Sequence, residues 1–309
     1  MRAVVFAYHN VGVRCLKTLL ARGVQVDLVV THPDSPTETL WFDRVADVAV
    51  EAGIPVAYVD EAVDGALIDR VVALAPDYLF SFYFRRMLPA PLLAAARIAA
   101  LNMHGSLLPK YRGRVPVNWA VLHGETETGA TLHVMDIKPD AGDIVAQQAV
   151  PILPDDTAKD VFDKLTVAAE IALWTVLPQL QRGEVPRRAN ALAEGSYFGG
   201  RKPEDGRIDW AQPAQSVYNL IRAVAPPYPG AFFDLGGHRF IVARARLARP
   251  ELAGLLAAST PVGPAVAGGQ MLARAADGGV IHLLELWAAD QPGHPLSAQQ
   301  FSSLAGLQS

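Results

Sequence analysis

Along the first hundred residues, short apolar runs alternate with segments whose apolar positions recur every three or four residues. "AVVFAY", "VQVDLVV", "IPVAYV", "YLFSFYF" and "AALNMH" are rich in β-branched and aromatic residues and carry few polar positions, the pattern of strands buried on both faces. Between them, "VRCLKTLLARG", "WFDRVADVAVEAG" and "DGALIDRVVALAP" have helical spacing; two close on glycine and one meets proline. Such alternation predicts an α/β domain with a parallel sheet and right-handed crossovers. Further on, "VPVNWAVLHG" reads as a helix, "GATLHVMD" and "DIVAQQAVPI" as two more strands, and "DDTAKDVFDKLTVAAEIALWTVLPQLQRG" as a long amphipathic helix with Asp or Thr as N-cap and Gly183 as terminator.

The pattern changes after about residue 200. "GAFFDLGGHRFIVARARL" predicts a hairpin turning at Gly236-Gly237, and "GPAVAGGQMLARAADGGVIHLLELW" predicts further short strands separated by glycine turns. The expectation is a Rossmann-like domain over residues 1–203 and a smaller, mostly β domain resembling a partly open, OB-like barrel over 204–309, jointed near "GGRKPEDGRIDW". No internal repeat or low-complexity tract interrupts the chain.

Composition narrows the class. With 309 residues, 51% of them apolar and 19% charged, the chain suits a soluble protein with a sizeable core. A net charge of −4 argues against broad affinity for nucleic acid or an acidic membrane. Cys15 is the only cysteine, which excludes an intramolecular disulfide and a Cys-rich zinc site and fits a reducing cytoplasm. "MRAVVFAYHN" is too short in its apolar part for a signal peptide, and the uncharged stretch 252–273 is broken by glycines and prolines, so a soluble intracellular protein is expected.

The chemistry concentrates in "LNMHGSLLPKYRGR", residues 101–114, where Asn102 and His104 interrupt an apolar run that then turns through glycine, proline and cations. The first strand is followed by "YHNVG", not by G-x-G-x-x-G, and neither a phosphate loop nor H-E-x-x-H occurs. Open α/β sheets bind ligands beyond the carboxyl ends of their strands, where this segment falls. Strand alternation points Asn102 and His104 the same way, and Gly105 lets the chain turn. Downstream, "DIKPDAGDIV" offers Asp136, Asp140 and Asp143 around Pro139 and Gly142. A carboxylate against His104 would hold one imidazole tautomer and favour its protonated form. Amide, imidazole and carboxylate together suit nucleophilic attack on a carbonyl: Asn donates to the oxyanion, His takes the nucleophile's proton and Asp orients His. No Ser or Cys elbow is present, so the attacking group belongs to the substrate. The other histidines, His133 among them, lack metal-ligand spacing and read as structural or exposed, with His9 a candidate for the cleft lining.

The stretch "LNMHGSLLPKYRGRVPVNWAVLHGETETGATLHVMDIKPDAGDIV" resembles the folate-dependent formyltransferases, which share Asn-x-His, S-L-L-P-x-Y-R-G and D-x-G-x-[IV]. Within that family, "VVFAYH", "GIPV", "FSFY", "HGETETG" and "RAVAPPYPGAF" look most like the formyltransferase part of bifunctional polymyxin-resistance proteins, which formylate UDP-4-amino-4-deoxy-L-arabinose for lipid A modification. The resemblance extends over about the whole chain. It implies Asn102 as oxyanion stabiliser, His104 as proton acceptor and Asp140 as the group raising the His104 pKa. It also implies N10-formyltetrahydrofolate as formyl donor, lying against Arg86, Met87 and Leu88, Arg114, and the turn Asp136, Ile137, Lys138, Pro139 and Asp140, with contacts at 86 through backbone. No metal is implied.

For the sugar nucleotide, Arg201 and Lys202 at the joint could meet a diphosphate, and Asn219, Arg222 and Tyr228 lie near a Pro-rich turn where Tyr228 could stack on a base. The bifunctional relatives continue into a dehydrogenase–decarboxylase half, and this sequence ends at Ser309. Three alternatives follow: that half is a separate partner polypeptide, the sequence is an excised domain, or the acceptor is another nucleotide amino sugar. The oligomeric state is left open. A methionyl-tRNA formyltransferase must hold a polyanion, yet residues 31–64 carry eight acids and one Arg, and from Asp205 onward seven Arg face seven acids without a Lys. A non-catalytic folate or nucleotide-sugar binding module would need no base beside an oxyanion donor.

Overall fold

A computed structural model describes residues 1–34 and 40–307. In chain order, β1 (Arg2–Ala7), α1 (His9–Ala21), β2 (Gln25–Thr31), α2 (Val45–Glu51), β3 (Val56–Tyr58), α3 (Gly65–Leu74), β4 (Tyr78–Phe82), α4 (Ala90–Ala95) and β5 (Ala99–His104) come first. Then follow β6 (Arg112–Gly113), α5 (Pro116–Leu122), β7 (Glu127–Val134), β8 (Ile144–Pro151), α6 (Ala158–Gln181) and β9 (Tyr197–Phe198). The remainder is α7 (Ala214–Val224), β10 (Ala231–Leu235), β11 (His238–Leu247), α8 (Pro250–Ala253), β12 (Gly263–Ala267), β13 (Gln270–Arg274), β14 (Val280–Ala288) and α9 (Ala298–Ala305). Two compact units result: Met1–Pro116, Glu127–Pro151 and Phe162–Gly199 form one, and Val117–Thr126, Ile152–Val161 and Gly200–Ser309 the other.

The first unit is built on a seven-stranded sheet in the order β3-β2-β1-β4-β5-β7-β8. Pairs among β1 to β5 are parallel, as the alternating pattern predicts. The last two strands reverse: β5 with β7 and β7 with β8 are antiparallel. The link from Met135 to Asp143 is shorter than the dozen or so residues a parallel crossover needs, so β8 returns as a hairpin partner. Val4, Phe6, Leu28, Val30, Leu79, Leu88, Leu92 and Ala100 form a buried cluster, with Phe84 and Met135 packed at its margin. Each fully buried Leu or Phe there contributes about 1.5–3 kcal/mol.

Two local expectations change. The β3 strand lies at the sheet edge and leaves Tyr58 61% exposed, so it is not covered on both faces. Helix α2 starts at Val45 rather than at Trp41, because Trp41 and Phe42 pack instead on the His9 ring, at 4.5 and 4.0 Å between centroids. The start of α6 follows the sequence: Asp160 N donates to Thr157 Oγ1 (3.2 Å) and Thr157 N donates to Asp160 Oδ2 (2.9 Å), a reciprocal cap.

The second unit carries a five-stranded antiparallel half-barrel, β10-β11-β14-β13-β12. Gly236 and Gly237, with φ of 58° and 80°, make the two-residue turn joining β10 to β11. A register shift between Val242 and Arg244 bends β11 against β14. Phe240 and Phe301 meet edge to face at 5.0 Å and are fully buried. Among the described residues no helix is long and apolar enough to cross a membrane.

Candidate active site

Strand β5 delivers the two polar residues to the carboxyl end of the sheet. Its antiparallel pairing with β7 sets Asn102 opposite His133 and His104 opposite Thr131. His133 Nδ1 lies 2.8 Å from the Val134 carbonyl oxygen, which can only accept, so Nδ1 carries the ring hydrogen. His133 Nε2 is then the acceptor for the Asn102 amide, 3.0 Å away, and the second amide hydrogen of Asn102 stays available to a substrate oxygen. The sequence reading set His133 aside as structural or exposed. In the structure it is buried, and it orients the Asn102 carboxamide. Only its place opposite Asn102 in a reversed strand reveals that role.

His104 is 6% exposed. Its Nε2 lies 2.8 Å from the Tyr111 carbonyl oxygen, so the neutral ring holds its hydrogen at Nε2. The lone pair sits at Nδ1, 3.4 Å from Asp140 Oδ1. The same Oδ1 lies 3.5 Å from His133 Nε2, while Asp140 Oδ2 accepts from Gly113 N at 2.8 Å. Burial acts to raise the Asp140 carboxyl, but the charge His104 carries once protonated, followed by His133 and the Gly113 N–H, outweighs it and holds the group well below the ordinary carboxylate range. For His104, burial dominates and lowers its pKa below the usual 6.5, although Asp140 and the Tyr111 carbonyl pull upward. Asp140 thus pulls the His104 pKa upward, as expected, but desolvation prevails and the resting imidazole is neutral.

The loops around this cluster are tightly constrained. Tyr111, Val115 and Asp140 have φ of 56°, 47° and 51°, left-handed conformations that cost non-glycine residues on the order of 1–3 kcal/mol each. Thr131 Oγ1 donates to Ser106 O (2.6 Å) and accepts from Leu108 N (3.1 Å), and Ser106 Oγ donates to Lys110 O (2.6 Å), which sews the turn after His104. Asn190 Nδ2 donates to Asp140 O at 3.0 Å and Gly142 O at 3.2 Å, securing the acidic turn from the far side. Gly113 has φ of 97° in β6, and a Cβ there would overlap the Phe198 carbonyl oxygen of β9. Gly113→Ala is expected to cost on the order of 2–4 kcal/mol of stability, read by chemical denaturation. An unchanged midpoint would show that the β6–β9 pair can relax.

The positions expected to hold the donor all belong to the first unit. Arg86 forks its guanidinium onto the Asp60 carbonyl oxygen at 3.0 and 2.7 Å. Met87 and Ile137 are 61% and 75% exposed, while Leu88 is buried in the apolar cluster. Arg114 and Lys138 are exposed, Pro139 is half-buried, and Asp136 Oδ1 accepts from Ile137 N at 2.6 Å.

The sugar-nucleotide candidates belong to the second unit, and two of them are buried. Asn219 and Arg222 are each 6% exposed. Arg222 Nη1 donates to Asp156 O (2.8 Å) and Nη2 to Asn219 Oδ1 (2.7 Å), which also accepts from Gln215 Nε2 (2.9 Å). Three-residue spacing puts both on the buried face of α7, where Arg222 ties the helix to the 152–161 segment. Arg201 Nη2 donates to Asp205 O (2.8 Å) with its guanidinium 4.8 Å over the Trp119 ring; Lys202 is exposed, and Tyr228 is half-buried.

Residues 1–177 match the family model described as formyl transferase, and residues 201–296 match the formyl transferase C-terminal domain. Solved structures share the fold. An N-formyltransferase from Helicobacter canadensis, in complex with folinic acid and dTDP-3-aminofucose, is 20% identical, covers 91% of this chain and 98% of its own, and has a TM-score of 0.70. WlaRD, a sugar 3N-formyl transferase solved with dTDP and 5-N-formyl-THF, is 18% identical over 96% of this chain and 99% of its own, with a TM-score of 0.71. A 4-N formyltransferase from Francisella tularensis is 21% identical over 78% and 96%, with a TM-score of 0.64. With both domain models matched in order along one chain, this protein is an enzyme of the formyl transferase family.

Proposed function

We propose that the protein transfers the formyl group of N10-formyltetrahydrofolate to the 4-amine of UDP-4-amino-4-deoxy-L-arabinose in the cytoplasm, with residues 1–203 as the catalytic part and 204–309 as the barrel-like part. The observation that carries this reading is the convergence of Asn102, a neutral His104 and an ionised Asp140 in one buried network. In the reaction the amine nitrogen bonds to the formyl carbon, the N10–C bond breaks, and one amine proton ends on N10. Asn102 donates its free amide hydrogen to the oxyanion that forms in between. His104 accepts the amine proton at Nδ1, where the Asp140 carboxylate stabilises the resulting imidazolium. A low-lying carboxyl and a depressed imidazole suit a base that is neutral before each turnover.

Donor binding is supported by exposed Met87 and Ile137 as apolar surface for a flat heterocycle, and by Arg114 as a cation for a carboxylate tail. Charge argues against tRNA as acceptor: the acid-rich stretch 31–64, of which Glu38 lies outside the described residues, would repel a polyanion. A second acceptor reading, another nucleotide-linked amino sugar, is favoured by the dTDP ligands of the Helicobacter canadensis protein and WlaRD.

The test incubates the purified protein with N10-formyltetrahydrofolate and UDP-4-amino-4-deoxy-L-arabinose and follows tetrahydrofolate release. Turnover supports the full reading. Turnover only with dTDP-linked amino sugars keeps the chemistry and replaces the acceptor, whereas silence on every amino sugar favours a binding module. The pH profile makes a separate prediction. Since His104 must be neutral to accept a proton and burial lowers its pKa, kcat/KM, once divided by the fraction of acceptor present as free amine at each pH, should stay level from neutral pH down to about 6.5 and fall only below it. An acid limb centred above pH 7 in that corrected profile would contradict this assignment.

A further inference from the structure

His32 follows β2 and is 8% exposed. Its Nδ1 lies 2.6 Å from the Val59 carbonyl oxygen and therefore donates; its Nε2 accepts from Arg85 N at 3.0 Å. Both nitrogens are thus occupied, and the geometry requires a neutral ring with its hydrogen on Nδ1. One face stacks on Phe84 at 4.2 Å and 19°, and Tyr8 meets the ring edge-on at 5.4 Å.

The chain leaves β4 through Tyr83, whose φ of 57° is left-handed, and passes directly into the two residues His32 holds. Residues 86–88 come next, and Arg86 is tied to Asp60 O, beside the Val59 carbonyl that fixes His32. The β4–α4 turn is therefore hung from the end of β3 by two links, one of them a titratable ring.

We propose that His32 is a positioning residue for the formyl donor: as a neutral ring it seats the backbone of 84–88, and protonation at Nε2 abolishes the acceptor for Arg85 N–H and loosens that seat. The inference rests on the assignment of the donor to residues 86–88 and adds a pH-sensitive control of donor affinity. The ionisable groups facing the ring are Tyr8 after β1, Asp60 after β3, and Arg85 and Arg86 on the turn itself. Burial, the largest influence, keeps the ring neutral below its ordinary 6.5, although the Val59 carbonyl and Asp60 act upward. Protonation, and the loss of the seat with it, therefore belongs to the range below pH 6.5.

The test uses the full chain, with 5-formyltetrahydrofolate as a non-transferring probe, and measures its Kd calorimetrically from about pH 5 to pH 8. Wild type should bind evenly above about pH 6.5 and about 10-fold more weakly near pH 5. His32→Gln can still donate to Val59 O and accept from Arg85 N, so it should bind within about 3-fold of wild type at neutral pH and lose the acid slope. That lost slope separates His32 from titration of the probe. His32→Phe keeps the stack but makes neither hydrogen bond; it should bind about 10-fold more weakly at every pH, with kcat at saturating donor and KM for the acceptor unchanged.

Wild-type affinity in His32→Phe, a fall in kcat with donor Kd intact, or an acid slope that persists in His32→Gln would each overturn the proposal. If His32→Phe does not fold, the His32→Gln pH profile decides alone. A wild type that binds no 5-formyltetrahydrofolate at any pH overturns the donor assignment, and this inference with it.

Discussion

Replacing His104 by alanine is expected to lower kcat by about 10²–10⁴-fold while 5-formyltetrahydrofolate binds with little change. The imidazole is the group in the cluster whose lone pair, at Nδ1, is placed beside a carboxylate that stabilises the proton it takes. Without it, the amine must release its proton to water as the carbon–nitrogen bond forms. The substitution also removes the donor to the Tyr111 carbonyl oxygen, which costs on the order of 1–3 kcal/mol of stability. His104→Gln separates the two effects, since its amide can still reach the Tyr111 carbonyl but is no base at neutral pH. Steady-state kinetics, calorimetry and thermal unfolding on both variants decide the matter. A His104→Gln enzyme within a few-fold of wild type would remove His104 from the proton transfer.

The second large effect belongs to Asp140. Asp140→Asn preserves shape, and its amide oxygen can still accept from Gly113 N. Its NH₂, however, takes the place of the oxygen that faces His104 Nδ1 and His133 Nε2. There it donates to the lone pair that should receive the substrate proton, and the charge that stabilises the imidazolium is gone. We expect a loss in kcat of about 10²–10⁴-fold with the fold intact. The sign of the pH effect follows. Asp140 raises the His104 pKa, so its neutralisation lowers that pKa further, and the residual activity should show an acid limb displaced to lower pH. A limb that stays in place would mean the two groups are not electrostatically coupled.

Much of the first unit was legible in the chain. Short β-branched runs between helical segments marked five parallel strands, because burial on both faces and helical periodicity are properties of a local window. The caps at Thr157 and the hairpin turn at Gly236-Gly237 were equally local. Asn102 and His104 stood out as polar positions on one face of a buried strand, and the motif around them named the chemistry.

What the sequence by itself determined is the identity and approximate order of the elements, the shared face of Asn102 and His104, and the turn chemistry beyond them. Tertiary structure alone decided the reversal of β7 and β8, and through its register it brought His133 opposite Asn102. It placed the Tyr111 carbonyl on His104 Nε2 and drew Asn219 and Arg222 inward to bind each other. It also decided that desolvation outweighs the Asp140 charge in setting the state of His104. Periodicity and capping depend on near neighbours along the chain. Register, hydrogen-bond partners and desolvation depend on atoms brought close from far away in sequence, and they exist only once the chain has folded.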